Sequence, residues 1–325
     1  LPLAQGLHTV QEQTTNKRLK VVVQDIITSV EGGSSLAKAF AKHPELFDEI
    51  YIALIAAGEV SGTLDKSLER IADQQEKDAA IASKIRGAMV YPMIVVFVML
   101  GVVIFMLTTV VPQIEILYDN LNKELPTLTA IMVGAADFLT RFWWLIIIII
   151  GLGVFYLRRY SKTPAGIRTF DTLKINMPLF GEMFRKLYMA RFTRTGQTLL
   201  VSGVQMLEML RISSQAVGNV LVAESITRAS EKVKSGKSLA TSLKNEEYIL
   251  PLVYQMISIG EQSGGVDAMM GKAAGFYENE LDDAIKAIST SIEPILMVLL
   301  AVVAGGMVGA ILFPVYKLSS TTSLG

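Results

Sequence analysis

Gly58-Glu59-Val60-Ser61-Gly62-Thr63-Leu64-Asp65 has a counterpart 202 residues later, Gly260-Glu261-Gln262-Ser263-Gly264-Gly265-Val266-Asp267. Short-period repeats build solenoids, whereas a period of about 200 residues indicates a duplicated domain. Each copy continues into a long uncharged apolar run. The repeating unit is therefore predicted to be a soluble domain with a membrane helix attached.

Other residues repeat at nearly the same spacing. Ser35-Leu36-Ala37 matches Ser238-Leu239-Ala240 at an offset of 203 residues. Four prolines pair at an offset of 202 and are predicted to kink or end helices: Pro92 with Pro294, and Pro112 with Pro314. The first copy is expected to be incomplete at its start, because nothing in it matches residues 188–202 of the second copy.

Three apolar segments are predicted to cross a membrane. Hydrophobic residues make up 51% of the chain, and its mean hydropathy is +0.44. Residues 92–111 and 294–313 carry no charge, and each run would form a helix about 30 Å long, the thickness of the hydrocarbon core. A third, shorter run has tryptophan at one end and tyrosine at the other, as interfaces favour. We predict transmembrane helices at 91–112, 142–157 and 293–314.

The distribution of positive charge predicts the orientation. Of the 30 Lys and Arg residues, 10 precede Tyr91 and 17 lie between Arg158 and Glu293; only three others exist. Because Lys and Arg accumulate on the cytoplasmic side, the two charged domains are expected to be cytoplasmic. The predicted order is a domain (1–90), an outward-facing loop (113–141), a linker (158–177), a second domain (178–292) and an outward-facing tail (315–325), separated by the three spans.

Both soluble segments are predicted to be helical. In the second copy, one apolar stripe with steps of three and four residues runs from Val266 through Met270, Ala273, Tyr277, Leu281, Ala284 and Ile288. The matching stripe of the first copy starts at Leu64 and includes the polar Gln75. Because no turn-forming cluster precedes Pro92 or Pro294, we expect a continuous helix, kinked at the proline, to enter the membrane at each position.

The residues needed for most enzyme chemistry are missing. The chain has no cysteine, and an ordinary surface role is favoured for its two histidines, His8 and His43. Ser235-Gly236-Lys237-Ser238 imitates the end of a phosphate-binding loop, but Glu231 occupies the position where that motif needs glycine. A turn with a serine cap is the better interpretation. We expect no enzymatic activity, cofactor or metal, and the net charge of zero argues against nucleic-acid binding.

The Gly-Glu-x-Ser-Gly motif has two interpretations. As a turn, Gly58 and Gly260 would end one helix, Ser61 and Ser263 would cap the next, and Gly62 and Gly264 would allow close approach or positive φ. Glu59 and Glu261 would then either bond the next helix's amide ends or contact a partner. On the structural interpretation, we expect Gln to cost little at either position and Ala to cost about 1 kcal/mol.

A stripe of small residues lies on the third span. Ala301, Gly305 and Gly309 are four residues apart, the spacing that lets two helices approach closely. We expect this face to pack against another span or another subunit.

Taken together, the chain resembles the inner-membrane platform proteins of type IV pilus and type II secretion systems, the PilC/GspF family. The resemblance rests on the two homologous domains, the three spans and the repeated motif, each followed by a long helix into Tyr91-Pro92 or Glu293-Pro294. Met177-Pro178-Leu179-Phe180-Gly181 and Leu199-Leu200-Val201-Ser202-Gly203-Val204 also fit the start of the family's second domain.

This resemblance implies two six-helix bundles, the first truncated, on a non-enzymatic, homo-oligomeric (dimer or tetramer) platform in the cytoplasmic membrane. It implies as partners a hexameric cytoplasmic ATPase, pilin or pseudopilin subunits, other inner-membrane components and membrane lipid. The alternatives are a transporter or channel subunit acting as an oligomer, and a membrane-bound enzyme. Both are weakened by the sequence, because the apolar runs at 92–111, 142–157 and 294–313 contain no charged residue and no set of catalytic residues is evident.

Overall fold

The computed structural model describes residues 3–120 and 127–322, which form α-helices, one π-helical turn and short connections, with no β-strand in those ranges. The prediction of an all-α protein is confirmed, and three helices are long and apolar enough to cross a membrane. The helices are α1 (Leu3–Gln13), α2 (Lys17–Glu31), α3 (Leu36–Phe40), α4 (Glu49–Ser61), α5 (Leu64–Phe105), α6 (Val111–Asn120), α7 (Thr127–Tyr160), α8 (Pro164–Asn176), α9 (Gly181–Val201), α10 (Met206–Ala216), α11 (Val220–Lys234), α12 (Leu239–Lys244), α13 (Pro251–Ser263) and α14 (Val266–Thr322).

The order of helices repeats along the chain. Helices α1 to α5 begin 202 or 203 residues before α10 to α14, respectively. Equivalent residues fix equivalent ends: Asn16 and Asn219, 203 residues apart, both accept hydrogen bonds from two amides in the first turn of the helix that follows. Helix α9 has no counterpart among the described residues of the first copy.

Both copies contribute to one compact unit, which comprises residues up to Ala82 and residues Arg168–Ala284. Ile50 and Leu54 of α4 belong to the same buried core as Phe192 and Met209 of the second copy. The limits of this unit at 82 and 284 precede the predicted domain limits at 90 and 292, because the long helices α5 and α14 each leave the unit before their apolar runs begin. The limit at 168 precedes the predicted 178 because most of α8 belongs to this unit.

The buried face of the first long helix differs from the predicted stripe. Met270 and Tyr277 of α14 are buried, as predicted, and Met270 packs beside Gly196 of α9. In the first part of α5, up to Ala82, Ser67 and Gln74 are by contrast the buried residues, while Leu68, which matches Met270, is 38% exposed. The described part of the first copy has no equivalent of α9 to cover Leu68, and α5 buries a neighbouring, more polar face.

A polar clamp joins the second helix of each copy to the residues just after the third, and the acidic and the basic residue exchange positions between the copies. Arg228 of α11 lies 2.6 Å from Glu246, just after α12. At the same positions in the first copy, 203 residues earlier, Asp25 of α2 lies 2.9 Å from His43. The His43 side chain is only 17% exposed, so the prediction of an ordinary surface histidine is wrong at this position.

The second compact unit comprises residues Ser83–Ile167 and Ile285 onwards, and it contains the apolar parts of α5, α7 and α14. As expected, α5 is continuous through Pro92 and α14 through Pro294. A π-helical turn, Met106–Val110, precedes Pro112. Proline has no N–H and its ring crowds the carbonyl four residues earlier, so the wider turn accommodates Pro112 without ending the helical path.

Three segments predicted as loop, linker and tail are largely helical. The predicted loop at 113–141 contains most of α6 and the start of α7; Leu107 and Val111 pack against Val133 and Ala136 of α7. Leu125-Pro126 lies outside the described residues. The predicted linker contains α8, and α14 continues through position 314 to Thr322 in the predicted tail. These helices were missed because they are not uncharged apolar runs, and runs of that kind were the basis of the prediction.

Hardly any residue in the most apolar windows of the three long helices is buried within the chain. The predicted packing face of Ala301, Gly305 and Gly309 is likewise uncovered at its two glycines, since a Cβ atom added at either glycine would meet no atom within 4 Å. Within the described part of the chain, nothing therefore packs closely on this face, and its packing against another subunit stays a prediction.

Candidate functional site: the repeated Gly-Glu-x-Ser-Gly turns

The repeated motif forms the end of α4 and of α13. Gly62 and Gly264 follow these helices with φ of +71° and +77°, the left-handed conformation that glycine adopts without steric cost. The amide of the next residue, Thr63 or Gly265, donates to the carbonyl of Gly58 or Gly260 at 2.9 Å. This bond spans six residues and satisfies a carbonyl at the helix end, as in a Schellman motif.

The first glycine of each motif provides the close approach that was predicted for the second. Gly58 and Gly260 lie inside their helices and do not end them, which corrects the sequence interpretation. A Cβ atom at Gly260 would lie 2.6 Å from Cα of Val266, and one at Gly58 would lie 2.5 Å from Oγ of Ser67. Each glycine therefore lets the start of α5 or α14 pack directly on the preceding helix.

The prediction that the serines cap the next helix is wrong. Ser61 Oγ donates back to the carbonyl oxygen of Ala57 at 2.7 Å, and Ser263 Oγ donates to that of Ile259 at 2.9 Å. Both hydroxyls thus satisfy carbonyls in the last turn of their own helix.

The two glutamates bind the amide ends of short helices that precede them in the chain. The sequence analysis expected them to bind the amide ends of the helix that follows. The two carboxylate oxygens of Glu261 accept from the amides of Leu239 and Ala240, at 2.6 and 3.2 Å. Those of Glu59 accept from the amides of Leu36 and Ala37, the latter at 3.1 Å. In both copies these are the first two amides of a helix of five or six residues, α3 or α12.

A serine completes each cap. Ser35 Oγ accepts from the third amide of α3 at 3.3 Å, and Ser238 Oγ accepts from that of α12 at 3.2 Å. All three leading amides of each short helix therefore have a partner, although a helix this short has few hydrogen bonds of its own. Ser238 belongs to the sequence that imitates a phosphate-binding loop, and its role here is that of the predicted cap.

The polar clamp fixes α12 beyond its other end. Both Arg228 and Lys232 bind the carboxylate of Glu246, whose side chain is only 4% exposed. Burial acts to raise the pKa of Glu246, but hydrogen bonds and charge from Lys232 and Arg228 outweigh it and hold that pKa below its usual value. Glu246 therefore stays ionised while buried, and α12 is tied to α13 at its start and to α11 just past its end.

This arrangement is suited to holding helices together. Each signature carboxylate uses both oxygens to bind backbone amides, and among the described residues no group of three histidine or acidic side chains is placed to hold a metal ion. The motif's variable residue faces outward: Val60 is 91% exposed. The sequence identified the motif but gave no role to the pair Arg228 and Glu246. The signal for this pair was that the equivalent positions of the first copy, Asp25 and His43, are also ionisable.

Comparison with known proteins gives a consistent result. A family model described as "Type II secretion system (T2SS), protein F" matches residues 1–112 and 192–314. The type IV pilus assembly protein PilC of Thermus thermophilus is 37% identical over 326 aligned residues, which cover 100% of this chain and 80% of that protein. The PilC of Myxococcus xanthus is 37% identical over 98% of this chain and 76% of its own length.

A relative from the secretion machinery is similar to a comparable degree. The type II secretion system protein F of Vibrio cholerae is 32% identical over 325 aligned residues, covering 99% of this chain and 80% of that protein. The family model and these relatives span both copies of the repeat, including both signature turns. The chain therefore belongs to the type II secretion system protein F family, which includes the PilC proteins of type IV pilus assembly.

Proposed function

We propose that this protein is a non-enzymatic inner-membrane platform on which a type IV pilus or a secretion pseudopilus is assembled. In this role it couples a cytoplasmic hexameric ATPase to the extraction and polymerisation of pilin or pseudopilin. The names of its relatives support assembly or secretion as the general process. The ATPase, the pilin, the other inner-membrane components and the homo-oligomeric state, dimer or tetramer, are parts of the proposal.

One observation carries the coupling step: α5 and α14 each run from a signature turn into an apolar membrane segment without a loop. A flexible connection would absorb a displacement, whereas a continuous helix passes it along its axis. The first turn of each helix is packed against Gly58 or Gly260, so each helix begins in a close contact with its own copy of the repeat. In the proposed mechanism, the two copies form homologous cytoplasmic bundles, and force from the ATPase reaches the membrane through these helices.

The proposal leaves a partner role for the outer side of the turns. The glutamates face inward to α3 and α12, so a partner would meet the variable residues, Val60 and Gln262, which are both exposed. This division combines the two sequence interpretations, with Glu59 and Glu261 as structural residues and their neighbours available for contact.

Interrupting α14 tests the coupling. An alanine insert of about two helical turns after Ala284 keeps the helix continuous, and the residues after the insert keep nearly the same rotation about the helix axis. A Gly-Ser insert of equal length breaks the helix. In a host lacking its own copy, we expect the alanine variant to retain filament assembly or secretion and the Gly-Ser variant to lose it, at equal levels of membrane insertion. Normal assembly with the Gly-Ser insert would refute coupling through α14.

Reporter fusions test the proposed orientation. Fusions after residues 125 and 318 should report the outside of the cytoplasmic membrane, and a fusion after residue 230 should report the cytoplasm. A cytoplasmic signal at 125 would contradict the three-span arrangement. Solute flux in liposomes, or ATP hydrolysis by the purified chain alone, would instead favour the transporter or the enzyme alternative.

A further inference from the structure

A cavity of about 380 Å³ lies where the two copies of the repeat meet, within the compact unit to which both contribute. One wall comes from residues between Pro44 and Ile52 of the first copy, and the other comes from α10 of the second copy. Clefts that bind ligands typically have volumes of about 300–1,000 Å³. The cavity is therefore large enough to receive a group from another molecule.

The walls of this cavity are mainly apolar. Phe47 and Ile52, both half-buried, line it from the first copy, and the buried Ile212 lines it from α10. Ala216, the last residue of α10, also lines the cavity and has only a methyl group to fill it. Apolar walls of this kind are stabilised when an apolar group replaces the water beside them.

Acidic residues dominate the two stretches that line the cavity. Residues 44–52 contain three acids and no Lys or Arg, and residues 208–216 contain one acid and one base. The base, Arg211, is already bound within this chain, since its guanidinium donates to Glu49 at 2.8 Å and to Glu208 at 2.6 Å. One positive charge thus stands against four negative ones, and the lining favours a cation.

Asp48 is the lining carboxylate that can accept a further donor. Its Oδ1 caps α4 by accepting from the amides of Ile50 and Tyr51, at 3.1 and 3.3 Å. Its Oδ2 has no hydrogen-bond or ion-pair partner among the residues that the structure describes. Burial raises the pKa of Asp48, and the charges of Asp78 and Glu49 raise it further, although the two amides act to lower it. A cation bound at Oδ2 would offset this repulsion.

We propose that the cavity receives a basic segment of a partner protein. In this complex, the aliphatic stem of a lysine or arginine lies along Phe47 and Ile212, and its charged head binds Asp48. Lys and Arg suit both features, because their stems cover apolar surface while their heads stay in polar surroundings.

The charge of the lining selects this occupant. An acidic peptide or an anionic lipid would be repelled by the four carboxylates, and an uncharged apolar ligand would leave Asp48 Oδ2 without a partner. The proposal concerns the recognition of a basic segment at this cavity and does not depend on the pilus or secretion role.

Peptide binding to the intact chain in an uncharged detergent tests the proposal. Three rhodamine-labelled peptides share the same two leucines and differ only at the flanking positions, which are all lysine, all glutamine or all glutamate. Fluorescence anisotropy gives the Kd of each peptide at about 0.15 M salt, where exposed charges more than about 8 Å apart are largely screened.

Three substitutions separate the cavity from the general charge of the surface. Asp48→Asn removes the charge but keeps a side-chain oxygen that can cap α4. Ala216→Phe fills the cavity with an apolar ring. Glu247→Gln is the matched control, since Glu247 is exposed and does not line the cavity.

We expect the lysine peptide to bind about tenfold more tightly than the glutamine peptide, and the glutamate peptide to bind most weakly. Asp48→Asn should weaken binding of the lysine peptide roughly three- to tenfold, and Ala216→Phe should weaken it by more than about tenfold. Glu247→Gln should change this Kd by less than about twofold.

Equal Kd values for the lysine and glutamine peptides would overturn the proposal, and so would an unchanged Kd in Asp48→Asn or in Ala216→Phe. Absence of binding by every peptide would also overturn it, and a smaller oligomer with Ala216→Phe would then show that a second copy fills the cavity. Circular dichroism checks that each variant is folded. Asp48→Asn preserves the cap, so it still decides the result if Ala216→Phe does not fold.

Discussion

Replacing Glu261 with glutamine tests whether the signature carboxylate works as a two-oxygen acceptor. In the structure, both of its oxygens accept hydrogen bonds from amides at the start of α12. Glutamine has the same shape, but it keeps one oxygen and turns an NH₂ group toward the second amide, so two donors face each other. The sequence-based expectation that Gln costs little is therefore revised by the geometry.

The magnitude follows from the bonds that are lost. A hydrogen bond to a charged group contributes roughly 1.5–3 kcal/mol, and water can reach this half-buried site to replace part of that. Glu261→Ala loses two such bonds, so we expect a loss of about 2–4 kcal/mol in the free energy of unfolding, above the initial estimate. Glu261→Gln should lose about 1–3 kcal/mol, since one bond remains without its charge.

Thermal unfolding in detergent, followed by circular dichroism, measures the global effect. For a unit of about 200 residues, 1 kcal/mol corresponds to roughly 2–4 °C in Tm, so Ala should lower Tm by about 4–16 °C. Hydrogen exchange localises the effect, because the amides of Leu239 and Ala240 should lose protection first. Gln262→Ala is the matched control, since Gln262 is exposed and makes only a 3.4 Å side-chain contact with Ser258.

A Tm for Glu261→Gln within about 1 °C of the parent, with unchanged exchange at α12, would refute the two-oxygen clamp. Filament assembly by the same variant addresses the partner role. If assembly is normal while the clamp is weakened, Glu261 is not read by a partner. If assembly is lost without a change in stability, the carboxylate contacts a partner after all.

Three further perturbations test the rest of the structure. Gly260→Ala should destabilise the protein by about 3 kcal/mol or more, because its Cβ would meet backbone atoms of Val266, whereas Gly264→Ala has open space and should cost only about 1–2 kcal/mol for its positive φ; equal losses in thermal unfolding would disprove the close approach. Glu246→Gln should lower the free energy of unfolding at neutral pH and make it depend less on pH in the acid range. The pKa of Glu246 is depressed in the folded state, so its carboxylate stabilises the parent above the unfolded pKa of about 4.3, and this stabilisation is lost as pH falls through the folded pKa. An unchanged pH dependence of stability in the acid range would contradict the clamp. Gly305→Leu should reduce oligomer formation in detergent more than Val303→Leu, which lies off the small-residue face, and equal effects would mean that Gly305 only softens the helix.

Long-range repetition and apolar runs made the coarse architecture predictable. The offset of 202 to 203 residues and the charge-free runs after Pro92 and Pro294 are visible in the sequence without knowledge of tertiary contacts, so the helical class and three apolar helices could be predicted from them. Helix α8 was not predicted, because its apolar residues are spaced at intervals and mixed with polar ones. In addition, Ser161-Lys162-Thr163-Pro164 was interpreted as a break with no helix after it.

The partners of the signature glutamates depended on tertiary structure. Glu261 binds amides 21 and 22 residues earlier in the chain, a contact that is visible only once α12 folds back beside the end of α13. Similarly, which face of α5 is buried depends on the neighbouring helices, and Ser67 and Gln74 replace Leu68 and Gln75 inside. Spacing along one helix predicts that one side is buried, but the packing partners determine which side.

The exchanged positions of acid and base in the two polar clamps bear on how a duplicated chain folds. Two similar halves of one polypeptide can exchange equivalent helices, as identical protomers do in domain swapping. Exchange of α2 with α11 would place Asp25 against the carboxylate of Glu246, and Arg228 against His43 in place of its acid. Neither pairing reproduces the native attraction, and two carboxylates in contact repel. The clamp thus favours pairing between helices of the same copy over pairing between equivalent helices of different copies.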